Sequence, residues 1–493
     1  MKNSSYLTGK TILLLALMLV SSSCEKNYLD VNTSPNNTVN AGVKQILPAA
    51  IAHTAYVMGN EYQIIGGYWG QYWTQGPTGN QYNVYDQYLI TNTTFDRPWS
   101  DMYDSPLADF KKIIELSKNN NTRYAGIACI MQAYIFQVLT DLHGDVPFSE
   151  ALKGDEGLYS PHFDSQLSIY DGLISLVDEG IAYIENYTGD DINPQEDDFI
   201  YGGDGEKWVR FANTLKLKIY MRQSEVRPSV AQAGIALLES SGATFLGDGD
   251  DAEMPFNGAI GNQNPLYAQI ASLGSFNILA SNTALLNLKN NNDPRIDVFY
   301  RTATSGDSVG LHNGINQGEG KTPGFGGPDV VSGWYSKPSF VIAGPDSPVI
   351  LMSTAESNFL QSEAMTRGWL AGNDQSLYEA GITASFERWG FDASDATAYY
   401  QQGSIAFPSA GSPADKIKAT VTQKWIAMNG TECAEAWTEW RRTGYPDFFT
   451  LSVTSQIGNV FPQTLLYPNS EQTLNTNTPP QHNITDKVWW DVN

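Results

Sequence analysis

Apolar residues along most of this chain recur every three or four positions, the spacing that places them on one face of a helix. From about Val43 onward this pattern predicts helices arranged in consecutive pairs. Ser105 and Pro106 are suited to start one of them, serine as the cap and proline in the first turn. Leu107, Phe110, Ile113 and Ile114 form its apolar face, and Asn119, Asn120 and Asn121 end it. The next helix carries Ile127, Ile130, Met131, Tyr134 and Val138 on one side and closes near Gly144. Its Ala125, Ala128 and Ala133 are small enough to admit a close neighbour. Further pairs are expected at residues 168–187 with 206–224, 354–372 with 375–390, and 414–430 with 431–444. The predicted fold is therefore mostly α: an irregular scaffold of four tetratricopeptide-like helix pairs plus a loop-rich half.

Residues 248–348 break the pattern. They are rich in Gly, Asn, Asp and Pro, most of all in GINQGEGKTPGFGGPDVVSGWYSKPS, and show few helical faces. A stretch of this length without periodicity inside a compact chain is characteristic of functional loops carried on a rigid scaffold.

The front of the chain has a third texture. Lys2 and Lys10, an apolar run from Thr11 to Val20, and Ser21, Ser22 and Ser23 form an export signal that ends at Cys24. The run is too short to span a bilayer stably. A small-residue cleavage site directly before a cysteine is the arrangement of a bacterial lipoprotein, in which Cys24 receives acyl chains and becomes the anchor. Ser21 stands where leucine is usual. The polar segment NTSPNNTVN then reads as a spacer. The expected organisation is a signal at 1–23, a lipid-anchored tether at 24–42, and a single domain at 43–493 with a loop-rich insertion at about 248–348. Every later long apolar stretch is interrupted by charges, glycines or polar residues.

Net charge is −24, and Lys2 and Lys10 are the only charges ahead of Cys24. Such a surface repels phosphate backbones, which argues against nucleic-acid binding. Cys129 and Cys433, the two remaining cysteines, fall on helical patterns and read as buried thiols.

A search for catalytic chemistry finds little. In GINQGEGKT, glycine is one position out of place for a phosphate-binding loop, and Pro323, Gly324 and Gly326 forbid the helix that must follow. The five histidines are scattered without metal-ligand spacing, and no G-x-S-x-G elbow occurs. DGDDAE, at 248–253, has Ala252 where a calcium loop needs a ligand. With 53 acidic residues, a glycosidase-like carboxylate pair is open by counting alone. No catalytic residue, metal ligand or cofactor is assigned.

Four blocks resemble the SusD/RagB family of outer-membrane nutrient-binding lipoproteins. AYIFQVLTDLHGDVPFSEAL is similar to the family's helix ending in a G-D-[VI]-P-[YF]-S-E-A turn, and ANTLKLKIYMRQS to its A-N-x-L-K helix, with Lys218 where arginine is common. SEAMTRGWLAG with YEAGITASFERWG, and QKWIAMNGTECAEAWTEWRRTGYP with the closing DKVWWD, match the later pairs and the tail. From the residues alone, Trp425, Trp437 and Trp440 are expected in the core, and Asp145, Glu150, Arg441 and Arg442 in ion pairs or caps. The resemblance implies a surface location and a SusC-like TonB-dependent transporter as partner, with the lipoprotein acting as a hinged lid that presents glycan for import. Sugar rings stack their C–H faces on Trp and Tyr while polar side chains meet the hydroxyls. With 12% aromatic residues the chain has material for such a site. The candidate ligand contacts are Trp69, Tyr72 and Trp73, in the aromatic-rich stretch 62–88, and Trp334 and Tyr335 in the glycine-rich loop. For each of them the competing role is core or interface packing; Trp99 is expected in the core. Two other functions stay open: the same scaffold binding peptide or another nutrient, and a surface glycoside hydrolase.

Overall fold

Five of the helix starts in this chain are built from short polar side chains that take up the first backbone N–H groups. In the computed structural model, which describes residues 41–189, 191–273, 277–327 and 331–493, these caps set most of the paired helices. Cys24 and the signal lie outside the described residues. Helices α1 (Val43–Met58) and α2 (Glu61–Trp69) come first, followed by α3 (Ala108–Ser117) and α4 (Thr122–His143). Ser165 caps α5 (Gln166–Glu185), and Asp204 caps α6 (Gly205–Arg222) by accepting from Glu206 and Lys207 N–H at 3.0 and 3.1 Å. Ser353 caps α7 (Thr354–Thr366), Asn373 caps α8 (Asp374–Arg388), and a Ser412–Asp415 capping box opens α9 (Pro413–Ala427). Helix α10 (Cys433–Thr443) closes the set. The fold is mostly α, as the periodicity predicts.

Three details differ from the sequence reading. Ser105 is not a cap. The helix begins earlier, at Asp96–Met102, and runs into α3 through a π-helical turn at Tyr103–Leu107 that accommodates Pro106, which has no N–H to donate. Ser105 instead pairs with His53. Second, the close crossing of α4 and α5 also uses glycine, which the sequence reading left out: a Cβ on Gly126 would lie 2.7 Å from the Gly180 carbonyl oxygen. Third, α10 packs chiefly on α2 rather than on its sequence neighbour α9, which lies against α7 and α8. A Cβ on Gly66 would come within 2.3 Å of the Ala434 nitrogen, so α2 and α10 touch backbone to backbone.

Helix α4 is long and apolar enough to cross a membrane by composition, but it is enclosed by its neighbours. Cys129 on α4 and Cys433 on α10 are buried, unpaired thiols. Val43–Asn493 pack as one compact unit.

The ends of the loop-rich stretch meet in an antiparallel pair, β2 (Ala252–Met254) against β6 (Val349–Met352), with a bulge between Ala252 and Glu253. Between them lie the helices Pro265–Ser272 and Asn282–Asn290, too short to impress a helical period on the sequence. Two further antiparallel pairs build this half. β1 (Trp73–Gln75) aligns Trp73 with Ala280 of β3 (Ile278–Ala280), and β4 (Tyr300–Arg301) pairs with β5 (Lys337–Pro338).

Candidate functional site

The aromatic-rich stretch 62–88 turns inward. Helix α2 ends at Trp69, capped by Gly70, so Trp69 and Trp73 do not share a helical face; Trp73 begins β1. Trp69 is 4% exposed, its ring edge-on to Trp437 at 4.7 Å and its Nε1 donating to the Tyr85 carbonyl at 3.1 Å. Tyr72 is fully buried, stacked on Trp425 at 5.1 Å with its hydroxyl donating to the Trp425 carbonyl at 2.5 Å. Trp73 is fully buried as well. These three are core residues, which corrects the expectation that they contact ligand: the glycines among them permit tight packing between α2 and α10, and that packing closes the rings off. Trp99, 2% exposed, is core as expected.

Trp334 and Tyr335 are half-buried, and their rings rest on different segments. The Trp334 indole lies over Gly306, where a Cβ would sit 2.7 Å from its Cδ1 and Nε1. Its backbone is held by Asn313, whose Nδ2 donates to the Trp334 carbonyl at 2.8 Å. Tyr335 stacks on Phe325, with centroids 5.9 Å apart and planes 27° from parallel. Burial and the nearby Glu319 carboxylate raise the Tyr335 hydroxyl above its ordinary range.

The turn at 316–325 gathers polar groups beside that ring pair. Glu319–Lys321 form a single 3-10 turn after Gly318, and Thr322 is extended, so no phosphate-loop helix follows. Glu319 accepts from the Asn316 N–H at 2.9 Å, and the Asn316 Oδ1 accepts from Asn282 Nδ2 at 3.1 Å. Lys321 reaches the other way, donating to the Pro77 carbonyl at 2.9 Å and to Asn80 Oδ1 at 2.8 Å. Desolvation lowers its ammonium pKa. Beneath the turn, buried Asp86 accepts from Thr74 Oγ1 and the Gln75 N–H, both at 2.7 Å, while Thr74 Oγ1 accepts from the Gly318 N–H at 3.1 Å. Burial pushes the Asp86 carboxyl up to about 7. This chain of bonds fixes the turn to β1. The result is an open rim: a Tyr335–Phe325 ring pair near Glu319, on the same turn as Lys321, which reaches exposed Asn80.

Sequence reasoning placed Trp334 and Tyr335 in this region but missed Phe325, Glu319, Lys321 and Asn80. Phe325 had a signal, an aromatic residue isolated in TPGFGGP, since glycine and proline on both sides leave it nothing local to pack on. Asn80 had none, because it meets Lys321 across 241 positions.

In the 248–253 segment, Asp250 binds Arg210 at 2.7 Å, and Asp251 and Glu253 hold Arg388. Among the described residues no group of three His, Cys, Asp or Glu side chains is arranged to hold a metal.

A helical scaffold carrying an open aromatic and polar rim, with no metal cluster among the described residues, has the form of a binding protein. Residues 35–468 match the SusD-like family described as "Starch-binding associating with outer membrane", and the chain belongs to that family. It is accordingly a binding protein, not an enzyme, of a family associated with the outer membrane. Among solved structures, a chitin-binding protein is 27% identical, with a TM-score of 0.78 over 92% of this chain and 100% of its own. A chitin-binding SusD homolog from Flavobacterium johnsoniae is 24% identical, with a TM-score of 0.77 over 92% and 99%. A SusD homolog from Bacteroides uniformis is 24% identical, with a TM-score of 0.77 over 91% and 99%. The latter two show the fold alone. No curated protein matches the chain.

Proposed function

We propose that the protein is an outer-membrane lipoprotein, anchored through acylated Cys24, that binds a glycan on its loop-rich face and delivers it to a SusC-like TonB-dependent transporter. The observation that carries the binding reading is the half-exposed Tyr335–Phe325 ring pair with Glu319 nearby, on a turn whose Lys321 bonds to exposed Asn80. Stacked rings accept the apolar C–H face of a pyranose, and carboxylate, ammonium and amide groups at their edge accept or donate to its hydroxyls.

The likeness to a chitin-binding protein favours β-linked N-acetylglucosamine oligomers as the first ligand to try, since an N-acetyl group adds an amide that Asn80 can meet. Titration calorimetry of the protein against chitooligosaccharides and a panel of other neutral oligosaccharides tests the reading: saturable binding without product supports it, and product formation or an absence of binding overturns it. Membrane attachment is tested separately. Cys24→Ala is expected to release the protein from the membrane fraction, and unchanged retention contradicts the anchor. Co-purification of a barrel transporter with the acylated protein tests delivery.

A further inference from the structure

Asp86 lies beneath the turn at 316–325, at the end of the short helix Asn83–Asp86, and is 2% exposed. Its Oδ2 accepts from the Thr74 hydroxyl and from the Gln75 N–H, both at 2.7 Å. Thr74 has a single hydroxyl proton, and giving it to Asp86 leaves the oxygen's lone pairs to accept from the Gly318 N–H at 3.1 Å. Gly318, at φ +75°, caps the Glu319–Lys321 turn, and a Cβ on Gly320 would lie 2.4 Å from the Gln75 carbonyl oxygen. The turn is thus pressed against β1 where the carboxylate acts. From Gly318 the bonds run onward. Lys321 N–H donates to the Gly318 carbonyl at 3.1 Å, Thr322 N–H to that of Glu319 at 3.0 Å, and Phe325 N–H to that of Thr322 at 3.2 Å. Phe325 carries the ring that stacks on Tyr335.

A hydrogen bond to an ionised acceptor is roughly twice as strong as one to a neutral group, and bonds in a chain polarise one another. Burial opposes the ionised form of Asp86, while the Gln75 N–H, the Thr74 hydroxyl, the Gly318 N–H and the Lys321 ammonium favour it, and the carboxyl titrates at about 7. The other titratable groups facing it are the phenols of Tyr68 on α2 and Tyr88 just past its own helix. Burial holds both above their ordinary range, so neither changes charge with it. Protonation of Asp86 weakens the bonds from Thr74 and Gln75, and the less polarised Thr74 oxygen holds the Gly318 N–H less firmly. Other bonds keep the turn attached: Val453 N–H donates to the Gln317 carbonyl, and Lys321 donates to Pro77 and Asn80. The turn therefore loosens without detaching.

We propose that Asp86 is a positioning residue for glycan binding: when ionised it holds the 316–325 turn against β1 through Thr74, and so sets Phe325 against Tyr335 for the ligand. This role rests on the rim reading above, because Asp86 acts on the ligand only through the turn. Two effects of pH then oppose each other at one residue. A carboxyl raised in the folded state contributes stability that is full below the ordinary 3.8 and is lost as pH rises through about 7. Rising pH costs the fold at Asp86 while it tightens the turn. A carboxylate that merely supported the fold would not strengthen ligand binding as it destabilised the protein.

Two measurements on the full chain, each made at about pH 5.5 and about pH 8.5, test this. One is hydrogen exchange of the 316–325 peptide, corrected for the intrinsic rate; the other is calorimetric titration with chitohexaose and with maltohexaose. In the wild type, protection of the peptide and affinity for whichever sugar binds are each expected to rise about threefold to fivefold at the higher pH. Asp86→Asn, which cannot ionise, is expected to hold both at their low-pH values, with a melting temperature at the higher pH no lower than the wild type's. Thr74→Val is expected to abolish the pH dependence and Thr74→Ser, which keeps the hydroxyl, to retain it. That pair decides the matter if Asp86→Asn fails to fold. The proposal is overturned if protection of the peptide is independent of pH, if Asp86→Asn or Thr74→Val keeps the wild-type profile, or if measurable affinity fails to follow protection. Absence of binding by both sugars at either pH, beside the expected protection profile, would overturn the rim reading and with it the role in binding, while Asp86 would still hold the turn. The two failures are therefore distinguishable.

Discussion

Two regions of this molecule use charged and aromatic residues in opposite ways. Where α4, α6, α7, α9 and α10 converge, charges are sealed inside. Arg222 pairs with Asp141 at 3.2 Å, Glu435 at 2.5 Å and Glu439, and Lys218 pairs with Glu356 at 3.1 Å. Lys424 pairs with Glu356 and Glu439 at 3.3 and 3.2 Å, and Arg442 with Glu363 and Glu439 at 2.6 and 2.7 Å. Arg441 sits between the Trp437 and Trp490 rings, its guanidinium carbon 3.8 and 4.9 Å from their centroids. On the loop rim the same residue types are half-exposed, with a ring pair half-open and Lys321 held by Asn80 and the Pro77 carbonyl. Buried charges need every partner in place, so the helical network dictates geometry. Half-exposed rings at the rim bury less surface and keep one face open. The comparison teaches that residue type does not announce function in this fold; burial does.

Removing one partner of the helical network is the strongest way to break the contrast. Arg442→Ala removes one buried cation from Glu363 and Glu439, leaving Glu363 with Arg367 and Glu439 with Arg222 and Lys424, and is expected to cost about 3–5 kcal/mol in chemical denaturation. Gly66→Ala drives a methyl into the α10 backbone and is expected to cost about 1–3 kcal/mol by the same measurement.

The pH dependence of stability sharpens the contrast further. Burial and the neighbouring Glu356 hold the Glu432 carboxyl up to about 8, from an ordinary 4.5. A carboxyl raised in the folded state binds more protons there than in the unfolded chain. Its contribution is therefore full below 4.5 and is lost as pH rises through about 8. Glu432→Gln, which cannot ionise, is expected to flatten that alkaline decline in melting temperature. On the acid side, burial and nearby His482 lower His143 from 6.5 to about 3, so its contribution is present above 6.5 and is lost as pH falls toward 3. The smallest effect on stability belongs to the rim. Trp334→Ala is expected to weaken glycan retention in an affinity gel with the melting temperature almost unmoved, and a large drop in melting temperature would place that indole in the core.

The helical half was legible because its elements obey a local rule. Apolar spacing placed the starts of α5 to α9 within a few residues, and Arg441 and Arg442 were expected in ion pairs or caps. The contact between α2 and α10 was not legible, because Gly66 and Ala434 meet across 368 positions and glycines in an aromatic stretch signal flexibility and close packing equally well. That ambiguity put Trp69, Tyr72 and Trp73 on the wrong side of the surface. At the rim, Tyr335 could be singled out from its glycine-rich setting, whereas Asn80 and Lys321 are joined only by the folded chain.

The central claim is that the Tyr335–Phe325 pair holds sugar without supporting the fold. Calorimetric titration of a chitooligosaccharide into the wild type and into the Tyr335→Ala, Phe325→Ala double variant, each with its melting curve, tests it most directly. The account predicts affinity reduced by about tenfold or more, equivalent to about 1.4 kcal/mol, with a nearly unchanged melting temperature. Equal affinity in the two proteins, or a variant that melts many degrees earlier, would contradict it.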